Sequence, residues 1–423
     1  MAMDLSKHPC FNKDAKGSCA RIHLPVAPKC NIQCNYCNSK YDCVNESRPG
    51  VTSSVLSPPQ AVAYLEEVLK TMPTITVVGI AGPGDPMANA KETLETMRRI
   101  KAKWPDMILC LSSNGLELPE HVDELVEIGV SHVTVTVNAV DPEIAAKIYS
   151  WARVGKVLYR GADAARILLE RQEEAIRRLK EKDILVKINT IVMPGVNDHH
   201  VEDIARKMKA MGVDLLNCMA LIPNKDTKFE LVPEPSKARI EEIRAMAEQY
   251  LPQMRHCQRC RADAVGLLEN DCSRDFSGLM EACSRMVMPA DASRKHVAVA
   301  TMEGMLVNMH LGEAASFQIW GEDGKGGYVM LEDRPAPPAG GGPKRWYNLA
   351  RSLSDCRAVL VSGVGDTPQA ILEEEGLTVA AMSGFISQGL DAVYKSGDLT
   401  KLRAKGGGGC KMGAGCTGGG EGC

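Results

Sequence analysis

The sequence lacks any long apolar run. No stretch of about 20 hydrophobic residues occurs, which excludes a helix that spans a bilayer. It also lacks a dominant sign of charge. Lys and Arg number 50 against 53 Asp and Glu, a formal net charge of -3, so there is no electrostatic case for nucleic acid or an anionic membrane as main partner. The first residues, MAMDLSKHPC, hold no apolar segment of the secretory kind, and a cytoplasmic location is the expectation. No internal repeat is visible. Cysteine, by contrast, is abundant, with 16 in the chain. Disulfides are unfavourable in the cytoplasm, so thiolates that ligate metal are the better reading. Soft sulfur ligands select zinc, copper(I) or iron–sulfur clusters, and spacing must choose among them.

From about residue 20 to 220, short runs rich in Val and Ile alternate with amphipathic stretches. Strands are expected at 20–26, 74–80, 107–112, 131–137, 184–192 and 214–219. Helices are expected at 58–72, 90–104, 119–129, 200–212 and as a long region within 141–182. Six strand–helix units in series imply a parallel sheet with right-handed crossovers. The expected fold class is therefore α/β, a partial (β/α)6 barrel of the TIM type with its chemistry at the C-terminal strand ends. Residues 236–285 read as helix and loop. A new β start at 296–301 is followed by strands around 304–309, 315–320 and 327–331 and a Pro- and Gly-rich loop at 334–345. A helix, a strand at 358–364 and helices at 368–375 and 385–395 complete a second, small α/β domain. The expected organisation is 1–292, 293–400 and a flexible Gly- and Cys-rich tail at 401–423 that carries Cys410, Cys416 and Cys423.

Directly after the first strand, KCNIQCNYCN sets Cys30, Cys34 and Cys37 in a C-x3-C-x2-C arrangement. Cubane clusters usually take four cysteines. Three leave one iron open, free to chelate the amino and carboxylate groups of S-adenosylmethionine. An electron from the reduced cluster can then break a carbon–sulfur bond of the sulfonium. Tyr36 is an apolar cover and a candidate wall for the adenine. Zinc and buried free thiols are the plainer alternatives, although zinc favours paired C-x2-C units or Cys/His sets. After the second strand comes GIAGPGDP, where Gly79, Gly82 and Gly84 let backbone approach a ligand and Asp85 adds a carboxylate; an ordinary βα turn reads the same way. Ser112, Ser113, Asn114 and Gly115 follow the third strand, Asn138 follows the fourth, and Asn189 lies in the fifth. The candidate cofactor-binding set is Tyr36, Gly79, Gly82, Gly84, Asp85, Ser113, Asn114, Asn138 and Asn189.

Further cysteines flank this core. Cys10 lies in KHPCFN, Cys43 in KYDCVN, and Cys257 and Cys260 in RHCQRC beside Arg255, Arg259 and Arg261, cations that favour thiolate. With His8 and His256 they could hold additional clusters; a zinc knuckle at Cys257 and Cys260 is the alternative. Cys110 and Cys218 fall inside expected strands and read as small buried hydrophobes. Cys19, Cys272 and Cys283 stay unassigned.

The runs HPCF, VAPKCNIQCNYCNSKYDCVNESRPGV, GIAGPGDP, INTIVMPGVND and HCQRCRADAVGLL closely resemble the NifB family of radical S-adenosylmethionine enzymes, over most of residues 8–400. That resemblance implies a resident [4Fe-4S] cluster that binds S-adenosylmethionine and two further [4Fe-4S] clusters as substrates. It implies that these are fused with an added sulfide and a carbide from the methyl of S-adenosylmethionine, giving the 8Fe-9S-C precursor of the nitrogenase cofactor. Cys10, Cys43, Cys257 and Cys260, with His8, match positions associated with the substrate clusters. Glu46 and Arg48 are implied as catalytic, hydrogen-bonding or proton-transfer groups, against the alternative of a surface ion pair. Lys16, Gly17 and Cys19 stand where many relatives carry two histidines and an aromatic, so Cys19 is not taken as a ligand. Residues 296–395 resemble the NifX-type cofactor carriers, which implies a small ribonuclease-H-like domain, with His310 and Cys356 as soft ligands; core packing competes for Cys356. The implied partners are the scaffold NifEN, a NifX-type carrier, a ferredoxin or flavodoxin electron donor, and the cluster suppliers NifU and NifS. Two other classes remain open: a radical enzyme that uses auxiliary clusters on a peptide or small molecule, and a non-catalytic cluster carrier. A zinc-binding structural module is a third.

Overall fold

The computed structural model describes residues 5–45, 50–286 and 294–396. The chain divides into two compact units, Met1–Ser284 and Arg285–Cys423.

In the first unit, six parallel strands lie side by side in chain order: β1 (Ala20–His23), β2 (Ile75–Ile80), β3 (Ile108–Ser113), β4 (Val130–Thr136), β5 (Leu185–Val192) and β6 (Leu215–Ala220). Val265–Leu267 pairs antiparallel with the free edge of β1. Helices Pro58–Thr71, Ala90–Lys103, Leu118–Ile128, Gly161–Glu181 and Val201–Ala210 supply the crossovers. A sheet wound in one direction curls into a partial barrel, as the alternation of patterns implies. Local chemistry sets the helix ends. The N–H of Ser57 donates to Gln60 Oε1 at 2.9 Å, prolines open the first turn, and Ala61, Tyr64, Leu65 and Val68 form the buried stripe of Pro58–Thr71. Gly129, at φ 88°, stops Leu118–Ile128 in the left-handed region, and β4 begins at the next residue.

The helical region expected within 141–182 is broken. Helix Pro142–Ile148 gives way to a hairpin of Tyr149–Val154 and Val157–Arg160 before Gly161–Glu181 begins. Gly155, at φ 56°, makes the turn. The hairpin pairs with Ile32–Cys34, so the cysteine loop is itself one strand of a three-stranded sheet. Exposed Arg153, Lys156 and Arg160 fit a solvated helix face as well as a hairpin, which is why the apolar periodicity ran through the segment.

The second unit is a mixed five-stranded sheet. Numbered within the unit, His296–Val299, Ser316–Glu322, Tyr328–Pro335, Cys356–Val361 and Thr378–Ala381 lie in the order 3-2-1-4-5. Leu349, Leu353, Val359 and Leu372 belong to one apolar cluster and Val297, Leu360, Ile386 and Leu390 to another. Three expectations shift. The strand expected around 304–309 is only Leu306–Val307, and it pairs with Gly384–Phe385 rather than with the main sheet. Strand Thr378–Ala381 was not anticipated. The Pro- and Gly-rich loop is shorter than 334–345, because β structure runs through Pro335 and a helix starts at Pro343. The tail at 401–423 lies outside the described residues. Among the described residues no helix is long and apolar enough to cross a membrane.

One buried side chain ties the crossovers to the strand ends. Gln172, 2% exposed, donates from Nε2 to the carbonyls of Asn114 and Thr136, each at 2.8 Å. Gln172→Leu leaves both without that donor and is expected to lower unfolding stability by about 2–4 kcal/mol, read from the chemical-denaturation midpoint of the full chain.

Candidate active site

The loop after β1 reaches the C-terminal mouth of the sheet and is clamped there by backbone. The N–H of Gly84 donates to Ala27 O at 2.6 Å, that of Asp85 to Lys29 O at 2.8 Å, and that of Cys43 to Pro83 O at 2.9 Å. Asn89 Nδ2 adds a second donor to Lys29 O at 2.8 Å. A Cβ at Gly84 would run into the Lys29 carbonyl, so only glycine permits this approach. Asp85, buried, accepts from Asn114 N at 2.6 Å, Met87 N at 2.9 Å and Ser113 Oγ at 3.1 Å. Burial raises its carboxyl above the usual range, and these donors oppose the rise.

Cys30, Cys34, Cys37 and Cys43 line one cavity of about 430 Å³ together with Gly84, Asp85, Ser113 and Asn114. Among the described residues no three Cys, His, Asp or Glu converge on a point where a single metal ion would sit. A four-iron cluster distributes its iron over the corners of a cube, and what it needs is thiols around a shared space. The three sulfurs of the C-x3-C-x2-C loop meet that need. Gln33 steadies the loop by donating from Nε2 to Cys34 O at 3.0 Å and Cys37 O at 2.8 Å.

His8, Cys10, Cys257 and Cys260 line a second, narrower cavity of about 50 Å³, with Gly79 and Asn189 on its wall. Residues that sequence reasoning left out of the site also line it, among them Arg21, His23, Cys110 and Lys187. Arg21, 2% exposed, donates to Cys260 Sγ from Nη2 at 3.2 Å and from Nε at 3.4 Å, and to Gly266 O at 2.5 Å. Asn217 Nδ2 donates to Cys257 Sγ at 3.4 Å. Cys110 is thus a cavity residue rather than the buried hydrophobe its strand position suggests. The available signal was a polar or sulfur side chain at every second position of an apolar strand: Arg21 and His23 in β1, Lys187 and Asn189 in β5, Cys110 between Leu109 and Leu111. Ser112 belongs to the linings of both cavities, and its buried hydroxyl has no partner among the described residues.

Other candidates fall elsewhere. Tyr36 is fully buried, donates to Asn45 Oδ1 at 2.5 Å and accepts from Asn138 Nδ2 at 2.6 Å, so both it and Asn138 brace the cysteine loop from behind rather than line either cavity. Gly82, at φ 141°, serves the backbone clamp by accepting from Ala27 N at 3.3 Å. His256 Nε2 donates to Pro9 O at 2.9 Å, which ties the N-terminal segment beside Cys257. Cys218 is fully buried, as expected. Glu46 and Arg48 lie outside the described residues. In the second unit Cys356 is fully buried in the apolar core, whereas His310 is exposed, its Nδ1 accepting from Gly312 N at 3.1 Å.

Burial dominates the electrostatics around both cavities. It pushes the Cys10 thiol up to about 12 despite the opposing charge of Lys187, and raises Cys34 well above its ordinary value. Burial, then the cation of Arg21, lowers His23 to about 4. Burial and Lys187 lower His132, which stacks on His8 with ring centroids 4.3 Å apart, to about 3.

A family model described as the Radical SAM superfamily matches residues 24–208, and one described as Dinitrogenase iron-molybdenum cofactor matches residues 293–396. The chain is 47% identical over 403 residues to the FeMo cofactor biosynthesis protein NifB of Chlorobaculum tepidum, covering 95% of each. It is 41% identical over 402 residues to the protein of the same description from Klebsiella pneumoniae, covering 88% of this chain and 86% of that one. Among solved structures, Streptococcus suis SuiB bound to S-adenosylmethionine aligns at a TM-score of 0.40 with 12% identity, covering 54% of this chain and 49% of that chain, a likeness too partial to carry weight.

The depressed His132 predicts an acid limb of stability. As pH falls from 6.5 toward 3, the unfolded chain takes up a proton that the folded chain refuses, so stability is lost in that window and unaffected above it. His132→Phe should flatten this limb by up to about 1.4 kcal/mol per pH unit, measured by denaturation of metal-free protein across the pH series.

Proposed function

The chain belongs to the NifB family of FeMo cofactor biosynthesis proteins, radical S-adenosylmethionine enzymes, and from that premise we propose how its two cavities divide the work. The outer cavity, through Cys30, Cys34 and Cys37, holds the resident [4Fe-4S] cluster and S-adenosylmethionine. The inner cavity, through His8, Cys10, Cys257 and Cys260, receives two [4Fe-4S] substrate clusters, with Cys43 at the rim of the outer one. The product is the 8Fe-9S-C precursor, formed by fusing the substrates with an added sulfide and a carbide from the methyl of S-adenosylmethionine. The observation that carries this reading is that one chain lines two thiol-rich cavities which meet at Ser112.

When bound, the resident cluster supplies an open iron for the amino acid part of S-adenosylmethionine and the electron that cleaves it. The chain's own residues do the rest. Asp85, through Ser113 and the Asn114 amide, holds the end of β3 with its polar edge toward the outer cavity. Arg21 and Lys187 place positive charge around the anionic clusters, whose burial would otherwise be costly. Packed strands around the inner cavity keep water from a reactive radical. At about 50 Å³ that cavity is much narrower than the outer one. Glu46 and Arg48 act on hydrogen bonds or protons near the substrates. The unit at 293–400 holds or hands over the product, with His310 as its exposed ligand, and 401–423 is a separate tail. NifU and NifS supply clusters, a ferredoxin or flavodoxin supplies electrons, and NifEN or a NifX-type carrier takes the product, all in the cytoplasm.

The test is anaerobic reconstitution with iron and sulfide, addition of reductant and S-adenosylmethionine, and activation of cofactor-free nitrogenase by the product. Cys34→Ala should abolish both S-adenosylhomocysteine and 5′-deoxyadenosine. Cys260→Ala should retain some cleavage while preventing activation. Activation by the Cys260→Ala protein at the unsubstituted level would refute the assignment of the inner cavity.

A further inference from the structure

The hairpin that interrupts the crossover between β4 and β5 has a composition unlike its surroundings. Between Ile144 and Ala162 the chain carries Lys147, Arg153, Lys156 and Arg160 and no acidic residue, within a protein of net charge -3. All four are exposed. Some surface cations elsewhere are ion-paired, as Arg99 is with Glu95 and Arg177 with Glu181; these four have no ion pair among the described residues, and no acidic side chain interrupts their run.

Register determines which side chains share a face. Gln33 lies opposite Trp151, Trp151 opposite Arg160, and Arg153 opposite Leu158. Ile32 lies opposite Ala152 and Ala152 opposite Tyr159, and these three pack into the core around the cysteine loop. The opposite, outward face therefore presents Gln33, Trp151, Arg153, Leu158 and Arg160, with the Arg153 guanidinium 5.9 Å from the centre of the Trp151 ring. Trp151 also lines the outer cavity, Gln33 immediately precedes Cys34 in the strand, and Cys34 lies opposite Tyr149 in the same ladder. At the hairpin tip Val157 is 53% and Leu158 38% exposed. Unpaired cations around a small apolar centre are the composition of a surface that steers and seats an acidic protein.

We propose that this outward face is the docking surface of a small acidic iron–sulfur electron carrier. The inference rests on the reading of Cys30, Cys34 and Cys37 as ligands of the resident cluster. One electron leaves the carrier's reduced centre and enters the oxidised cluster held here; the carrier is oxidised, the cluster is reduced, and no bond or proton changes place. The strand that holds Cys34 is part of the sheet on which the carrier sits, so the electron need not cross the barrel.

The test compares the full-length, anaerobically loaded protein with its Arg153→Glu/Arg160→Glu double variant, using a reduced acidic ferredoxin and, separately, dithionite. Ferredoxin-driven formation of 5′-deoxyadenosine should fall about tenfold or more, with the dithionite-driven rate within about twofold of the unsubstituted protein. Ferredoxin binding, measured by interferometry without S-adenosylmethionine, should weaken about tenfold, and only the unsubstituted protein should lose affinity steeply from about 50 to about 300 mM salt. Arg153→Lys/Arg160→Lys should restore both. Unchanged binding and an unchanged ferredoxin-driven rate in the charge-reversed protein would overturn the proposal. So would an equal fall with both reductants, which would make the hairpin structural. Failure of the unsubstituted protein to cleave S-adenosylmethionine with dithionite would instead refute the functional reading, and the binding measurement would then decide the surface by itself.

Discussion

The mouth of the first unit depends on one backbone-to-backbone contact, the seating of Gly82–Gly84 against Ala27–Lys29. Peptide groups on both sides are satisfied by each other, and the glycine at 84 has no room for a side chain. This seating orients the cysteine loop relative to the strand ends, and Asp85, at its end, extends the same network to β3. The loop is held a second time from the opposite side, through the sheet it forms with the hairpin and through Tyr36, Asn45 and Asn138 behind it. A segment with little regular structure of its own is thus fixed by partners distant in sequence, which is how a flexible thiol-rich loop can present several sulfurs to one space without paying the ordering entropy when a ligand arrives.

The inner cavity addresses a different problem. Thiols removed from water resist ionisation, as Cys10 does, while any ligand they bind as thiolates brings further negative charge. Arg21 answers this with a guanidinium whose donors are directed at Cys260 and at backbone carbonyls, an arrangement that a flexible ammonium could not reproduce. Lys187 answers it with a point charge, which adds to burial, the larger cause, in disfavouring protonation of His8 and His132. The histidines therefore stay neutral, the form in which imidazole can ligate metal.

Much of this was legible in the sequence. Six apolar runs separated by amphipathic stretches define the strand order, because strands covered on both faces leave a continuous hydrophobic signal. The C-x3-C-x2-C spacing singled out three of the four cysteines that line the outer cavity. The same continuity hid the strand-borne wall of the inner cavity: when both faces of a strand are buried, periodicity does not say which face looks inward, and Cys110 reads like its neighbours. The hairpin was hidden for another reason, since exposed cations at intervals suit either structure. Tyr36 beside the cysteines suggested a ligand wall, but only the pairing of Ile32–Cys34 with Tyr149–Val154 reveals that its ring turns into the core.

Ser112 is a party wall between the two cavities. A bulkier residue there would crowd both chambers in one stroke, and a smaller one would enlarge both. Neither chamber can be reshaped at this position without altering its neighbour, so the two are yoked in sequence variation as well as in space.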